Sequence, residues 1–243
     1  MHWRHHMTSV PLAQARTYPP VARDTPHLTR EVSEAVRRAL NFTVAATGVV
    51  LVAPVMAVIA LLIKLTSRGS AFYTQVRVGI DRRGREATAG YNRRQLDYGG
   101  KPFLIYKFRT MIPRDDDATE VWAEPEDSRV TPVGRILRQY RLDELPQLIN
   151  VLRGEMDVVG PRPEQPTIFA RLREEIDRYE ERQRVRPGIT GWAQINQSYD
   201  SCVEDVRRKL AYDLEYIHRQ SALEDLRIMV RTLPAMLFKQ GGW

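Results

Sequence analysis

The longest apolar run in the chain is Ala39 to Ile63, twenty-five residues without a charged side chain. As a helix it would extend ~37 Å at 1.5 Å per residue, enough for a bilayer core of ~30 Å. Pro54 lies beyond its middle, and cations flank both ends, Arg37 and Arg38 before it and Lys64 and Arg68 after it. Basic flanks favour the cytoplasmic side, so both ends are expected on one side, which a straight crossing cannot achieve and a helix bent at Ala53-Pro54 can. A spanning helix with a tolerated proline is the alternative. Leu28 to Arg38 leads into the run as a charged helix start, with Thr29 as its N-cap.

Two stretches then alternate with period two. Ala71 to Val78 and Phe103 to Arg109 are rich in aromatic and β-branched residues and predict strands. Between them, Asp81 to Gly100 reads as a polar loop whose arginines, Arg82, Arg83, Arg85, Arg93 and Arg94, form a solvated or headgroup-facing surface. Helical spacing returns at Leu145, Leu148, Ile149 and Leu152, predicting a helix from Glu144 to Arg153 that Gly154 ends. Phe169, Leu172, Ile176 and Tyr179 mark another over Gln165 to Arg184, and Val203, Val206, Leu210, Leu214 and Ile217 a third. The last, Leu223 to Lys239, is expected to break at Pro234 and either to pack on the core or to lie in a membrane interface with Trp243 at headgroup level. Residues 1–27 hold Pro11, Pro19, Pro20 and Pro26 without apolar periodicity and read as a disordered tail. The pattern divides the chain into that tail, a membrane segment over 28–66 and a domain over 67–243. The fold class is α+β, mainly helical, with a few short strands.

Charge narrows the partners. A net charge of +7 points to acidic ones, such as anionic lipid or a phosphorylated substrate. No nucleic-acid partner is expected, because the basic residues are spread along the chain without a recognition module. The single cysteine, Cys202, excludes an intrachain disulfide and is expected to be a half-buried inert thiol. His2, His5 and His6 lack anything that would impose a metal geometry, and Asp115 to Asp117 lack regular ligand spacing.

The chemistry concentrates at the start of the Glu144 helix. Asp143 stands where an N-cap belongs, and Pro146 falls in the first turn, where its missing N–H costs nothing. Two adjacent carboxylates thus sit at a helix N-terminus, and the dipole with Arg138 and Arg141 favours their ionisation against their mutual repulsion. An ionised, positioned carboxylate is a nucleophile, a base or a metal ligand. Shortly after comes Gly160-Pro161-Arg162-Pro163, a stiff turn that fixes one guanidinium, and arginine forks match phosphate oxygens. Lys107 and Arg109 alternate along their strand and are expected on one face. Acid pair, rigid arginine and two cations suggest phosphate chemistry, although a simple cap and an exposed strand face remain open on these residues alone.

Arg141 to Glu164, with Lys107-Phe-Arg-Thr-Met111 before it and Arg186-Pro-Gly-Ile-Thr-Gly-Trp-Ala-Gln-Ile195 after it, closely resembles the bacterial sugar transferase family. These are the monotopic phosphoglycosyl transferases, which start glycan assembly on undecaprenyl phosphate. The resemblance covers roughly residues 36 to 240. It implies a re-entrant helix in the bacterial inner membrane, a catalytic domain on the cytoplasmic face, and transfer of a sugar 1-phosphate from a nucleotide sugar to the lipid. UMP would leave when the donor is a UDP-sugar. It implies Asp143 as the nucleophile that becomes a phosphosugar aspartate, Glu144 assisting through Mg²⁺, and Lys107, Arg109 and Arg162 on the phosphates. Arg186 and Gln194 would border the site. Three departures accompany it: Ala53 where the family commonly has Ser before Pro54, Asn41 where Asp is frequent, and Glu155 and Asp157 where Asp and Ser are frequent. The sugar and the glycan pathway are not fixed by these residues, and a homo-oligomer is left open. The rival is a non-catalytic, basic, membrane-anchored lipid-binding or scaffold protein whose acid pair is a cap.

Overall fold

A computed structural model describes residues 27–81, 99–112, 127–197 and 202–238. The expected tail with His2, His5 and His6, the arginines of the 82–98 loop, Asp115 to Asp117 and Trp243 lie outside the described residues.

Helix α1, His27–Thr66, contains the whole apolar run and continues through Pro54. One stripe of it is buried: Arg37, Asn41, Ala45, Ile59 and Ile63. Ala45 packs with Phe103, Ile105, Val151 and Met156. Ile59 and Ile63 pack with Ala71, Phe108 and Leu137. Midway, a Cβ on Gly48 would stand 3.3 Å from the Leu148 side chain, so the helix approaches its neighbour closely there. The opposite face is apolar and bare, with Val50 74%, Leu51 71% and Leu65 73% exposed. A long apolar helix thus touches one body of protein along a narrow stripe and leaves most of its surface exposed.

Strands β1, Phe72–Val78, and β2, Pro102–Phe108, pair antiparallel, with Tyr73 opposite Lys107. Helix α2, Pro132–Gln139, opens with Pro132 in its first turn and Thr131 as a true N-cap, its hydroxyl accepting from Gly134 N at 2.9 Å. A 3-10 turn, Leu142–Glu144, and helix α3, Gln147–Leu152, follow. Strands β3, Asp157–Val159, and β4, Gly188–Thr190, pair in parallel. Around them stand α4, Pro166–Glu175, a second 3-10 turn, Tyr179–Arg184, and α5, Trp192–Asn196, then α6, Val203–Arg219, and α7, Ala222–Phe238.

Four expectations change. The helix expected from Glu144 starts at Gln147, with Pro146 at the cap position, because residues 142–144 wind as a tighter 3-10 turn entered through left-handed Arg141 at φ 54°. Gly154 does end it, at φ 77°. The helix expected over 165–184 stops at Glu175: Ile176 is extended and Arg178 left-handed, which rotates Tyr179 and Arg182 into the interior. All four expected stripe residues are nevertheless buried, in a core with Val206, Leu210 and Leu214. Helix α7 continues through Pro234 and packs on the core through Ile228, which is buried, while Leu223, Leu226, Val230 and Leu233 are exposed. Cys202 is exposed.

A buried polar cluster ties α1 to this body. Arg37 Nε donates to Asp225 at 3.1 Å and its Nη2 to the Tyr216 hydroxyl at 3.1 Å. Asn41 Nδ2 donates to the same Asp225 oxygen at 3.1 Å, and Asn41 Oδ1 accepts from Val158 N at 2.6 Å. Asp157 lies 3.6 Å from Arg37 and 3.3 Å from Arg38. Burial pushes the Asp157 carboxyl up, against the pull of Arg186, Arg37 and Arg38. Two of the family departures, Asn41 and Asp157, therefore meet in one cluster, and the negative charge frequent at position 41 stands at 157 instead. Asn41→Asp alone places a second carboxylate against Asp225, and we expect a loss of about 3 kcal/mol, the scale of an uncompensated buried charge. Adding Asp157→Ser frees Arg37 and Arg38 to pair with the new acid and recovers most of it. A thermal-unfolding double-mutant cycle measures this, and additive losses would show that the two positions do not compensate.

Candidate active site

Asp143 and Glu144 leave the 3-10 turn side by side, yet their surroundings differ. Glu144 Oε1 accepts from Lys107 Nζ at 2.8 Å and from Arg162 Nη2 at 2.6 Å, and Arg162 Nη1 reaches Oε2 at 3.4 Å. Asp143 has Lys107 Nζ at 4.0 Å and, among the described residues, accepts no hydrogen bond. It does not cap a helix. Both residues are buried, Asp143 9% and Glu144 6% exposed.

The two carboxyls titrate in opposite directions. Burial opposes ionisation of Glu144, but Arg162 and Lys107 outweigh it and hold the group well below the usual carboxylate range. Burial likewise raises Asp143, Lys107 opposes, and the neighbouring Glu144 charge adds to the rise. The dipole and cation support expected for both acids is thus spent mainly on one. Arg138 also acts on Asp143 by its charge, while its Nε donates to Thr110 Oγ1 at 3.0 Å.

Arg162 is presented by a turn whose backbone is held residue by residue. Gly160 N donates to Thr190 O at 2.9 Å and Gly188 N to Pro161 O at 2.9 Å. Arg182 Nη2 donates to Arg162 O at 3.0 Å and Arg77 Nη1 to Pro163 O at 3.3 Å. Val78 N donates to Glu164 O at 2.9 Å. The contact with β4 is backbone on backbone: a Cβ on Gly188 would fall 2.0 Å from Gly160 N, and one on Gly160 2.4 Å from Arg186 O. The glycines of the two sequence motifs are needed because they pack against each other.

Lys107 is aimed at the acids from β2, as its strand position predicts. That edge of β2 is fixed by Asn150, whose Oδ1 accepts from Tyr106 N at 3.1 Å and whose Nδ2 donates to Leu104 O and Glu155 Oε2, both at 2.7 Å. The departure at Glu155 thus reaches the site through Asn150. Arg109 is not brought to the cluster: it lies past the end of β2, and its guanidinium donates to Arg68 O, to Ser67 O at 3.0 Å and to Ser67 Oγ at 2.8 Å, closing the end of α1. Arg186 Nε donates to Gly154 O at 3.2 Å, and Gln194 Nε2 to Ile189 O at 3.0 Å, so both brace the Gly154 and β4 backbone. Ala53 and Pro54 lie on the exposed face of α1. Sequence reasoning missed Arg182 and Asp213, both buried, because each sits among charges that read as solvated.

The bacterial sugar transferase model matches residues 32–239. The chain belongs to that family. Among its relatives, a UDP-glucose:undecaprenyl-phosphate glucose-1-phosphate transferase of Caulobacter vibrioides is 40% identical over 203 residues, 83% of this chain and 69% of its own. A UDP-N-acetylgalactosamine-undecaprenyl-phosphate N-acetylgalactosaminephosphotransferase of Aeromonas hydrophila is 37% identical over 202 residues, 83% of this chain. The exopolysaccharide production protein ExoY of Rhizobium meliloti is 32% identical over 233 residues, 88% of this chain and 91% of its own. This sugar transferase domain spans 44% of the Aeromonas relative's length.

Proposed function

We propose that this protein transfers a sugar 1-phosphate from a UDP-sugar to undecaprenyl phosphate at the cytoplasmic face of a bacterial membrane, with Asp143 as nucleophile. The observation that carries this is the unequal pair: Glu144 is saturated by Arg162 and Lys107, while Asp143 accepts no hydrogen bond among the described residues and stands beside the same two cations. The relatives' printed activities support the substrate classes.

In the first step an Asp143 oxygen attacks the sugar-linked phosphorus, the phosphoanhydride bond breaks, and UMP leaves with the bond's electrons. In the second, a phosphate oxygen of the lipid attacks the same phosphorus and Asp143 departs as carboxylate. Arg162 and Lys107, locked by Glu144, offset charge on the phosphoryl oxygens without having to reorganise. With no hydrogen bond to it among the described residues, the Asp143 carboxylate keeps its lone pairs available, and its raised pKa makes it a better nucleophile once ionised. Asp143 would be the protein carboxylate that holds Mg²⁺, an ion that needs few protein carboxylates beside substrate phosphates. Glu144 fits poorly as a ligand, because its oxygens already hold two cations. When bound, the ion screens the diphosphate charge.

The packing of α1 supports a monotopic reading. Its buried stripe leans on the same body at Ala45 and at Ile63, and a straight crossing would separate those ends by the bilayer. Pro54 lies on the face turned away from the domain, and a bend there, which a proline inside a helix favours, would let both ends return to one side.

The test is nucleoside monophosphate release by membrane-embedded protein from a panel of UDP-sugars, with and without undecaprenyl phosphate and Mg²⁺. Lipid-dependent release from one sugar is expected and names the donor. No release from any donor by folded, membrane-bound protein returns the molecule to a lipid-binding or scaffold role.

A further inference from the structure

The Arg162 fork is only as well placed as the backbone that carries it, and that backbone is held by a side chain outside every motif of the family resemblance. Arg182 is 2% exposed. Its Nη2 donates to the Arg162 carbonyl at 3.0 Å, its Nη1 to the Tyr179 hydroxyl at 2.5 Å and its Nε to Asp213 at 2.7 Å. Nη1 also lies 3.6 Å from Glu164, the residue that closes the turn, and Lys209 lies 3.4 Å from the same carboxylate oxygen. The guanidinium stands 5.0 Å over the Tyr179 ring. Asp213 reaches it from α6, so one side chain joins α6, the second 3-10 turn and the Arg162 turn.

Stability does not explain this arrangement. A buried ion pair is often no more stabilising than apolar residues of similar volume, because desolvation offsets the attraction. What apolar packing cannot supply is a directed donor to one carbonyl. A planar fork bonded on three sides fixes that donor where a lysine could not.

We propose that Arg182, oriented by Asp213, is a positioning residue that keeps the Arg162 guanidinium in register with Glu144 and with the donor diphosphate. The inference rests on the transferase reading above. Arg182 touches no reacting atom; it acts through the Arg162 main chain.

The test compares Arg182→Lys, Asp213→Asn and Arg162→Lys, and the double variant carrying both lysines, in membrane-embedded protein. It measures kcat, KM and the pH profile of nucleoside monophosphate release beside thermal unfolding. Arg182→Lys is expected to lower kcat/KM about tenfold or more, the scale on which supporting residues act on the groups they orient. It should also move the acid limb of the profile to higher pH, because a displaced Arg162 no longer favours the ionised acid pair. Arg162→Lys should move the limb the same way, and the double variant should be no worse than Arg162→Lys alone. An Arg182→Lys protein that melts earlier but keeps its limb in place overturns the proposal, as do losses that multiply in the double variant. If Arg182→Lys does not fold, Asp213→Asn decides by the same limb. Wild type that turns over no donor removes the transferase reading, and this inference with it, before any variant is compared.

Discussion

Asp143→Asn should leave the fold intact and lower nucleoside monophosphate release by about 10⁴-fold or more, the scale of removing a nucleophile. The change is isosteric, and the carboxylate it removes makes neither a cap nor any other hydrogen bond among the described residues. Only an electron pair able to attack phosphorus is lost. The stability change has a definite sign. Burial raises the folded pKa of Asp143, so the folded state holds its proton more tightly than the unfolded chain does. The contribution of Asp143 to wild-type stability therefore falls as pH rises from the unfolded aspartate value, about 3.9, through the raised folded value. The Asn variant carries no such contribution. Unfolding midpoints taken across that range should show the variant level with wild type at low pH and more stable above it. A variant that releases nucleotide at the wild-type rate removes Asp143 as nucleophile, and one less stable than wild type at neutral pH means that the carboxylate has a structural partner.

How much of this was legible in the sequence follows from how local each feature is. The apolar run, both long strands and the stripes of α4 and α6 were readable because burial imposes its period on neighbouring residues. Lys107 was readable for the same reason, since alternation along a strand fixes its side. Arg109 shares that alternation, but it stands one residue past the strand, and the carbonyls at the end of α1 take its guanidinium. The acid pair was found by position and misread in detail. The difference between Asp143 and Glu144 is set by Arg162 and Lys107, which are remote in sequence from one another. Arg182 was unreadable for a related reason: a left-handed residue at Arg178 turns it inward, and its partner Asp213 lies on another helix. Nothing in a run of mixed charges distinguishes the one that will be buried.

The family departures show the same limit. Asn41 and Asp157 each looked like an isolated loss or gain of charge, and in the fold they share Arg37. The cluster is continuous with the site, because the Tyr216 hydroxyl, which donates to Asp225 at 2.7 Å, also lies 3.1 Å from Val159 O, one residue before the Gly160 turn. The seat of the membrane helix and the seat of Arg162 thus belong to one hydrogen-bonded framework. For the proposed reaction between a soluble donor and a lipid acceptor, that framework would hold the Arg162 fork at a fixed depth relative to α1.

Glu144→Gln should cost both stability and rate. The substitution leaves Arg162 and Lys107 facing a neutral amide in a buried setting, which costs about 3 kcal/mol or more when one partner of a buried pair is removed. Rate should fall about 10²- to 10³-fold, the loss typical when one preorganised charge-stabilising group is misplaced. Two pH signatures separate this from simple loosening. The folded pKa of Glu144 is depressed, so its contribution to stability is fully present above the unfolded glutamate value, about 4.3, and is lost as pH falls through the folded value. The stability gap between wild type and variant should therefore be constant at neutral pH and close in acid. The second signature lies in turnover, because the Glu144 charge raises the Asp143 pKa and Arg162 and Lys107 lower it. Removing the charge while leaving both cations in place should move the acid limb of the residual activity to lower pH, opposite to the shift expected for Arg182→Lys. Denaturation and release profiles on the same preparation decide the matter. A gap that stays constant into acid would mean that Glu144 is not the anion paired with the two cations, and a limb that moves upward would mean that the cations leave Asp143 once the Glu144 charge is gone.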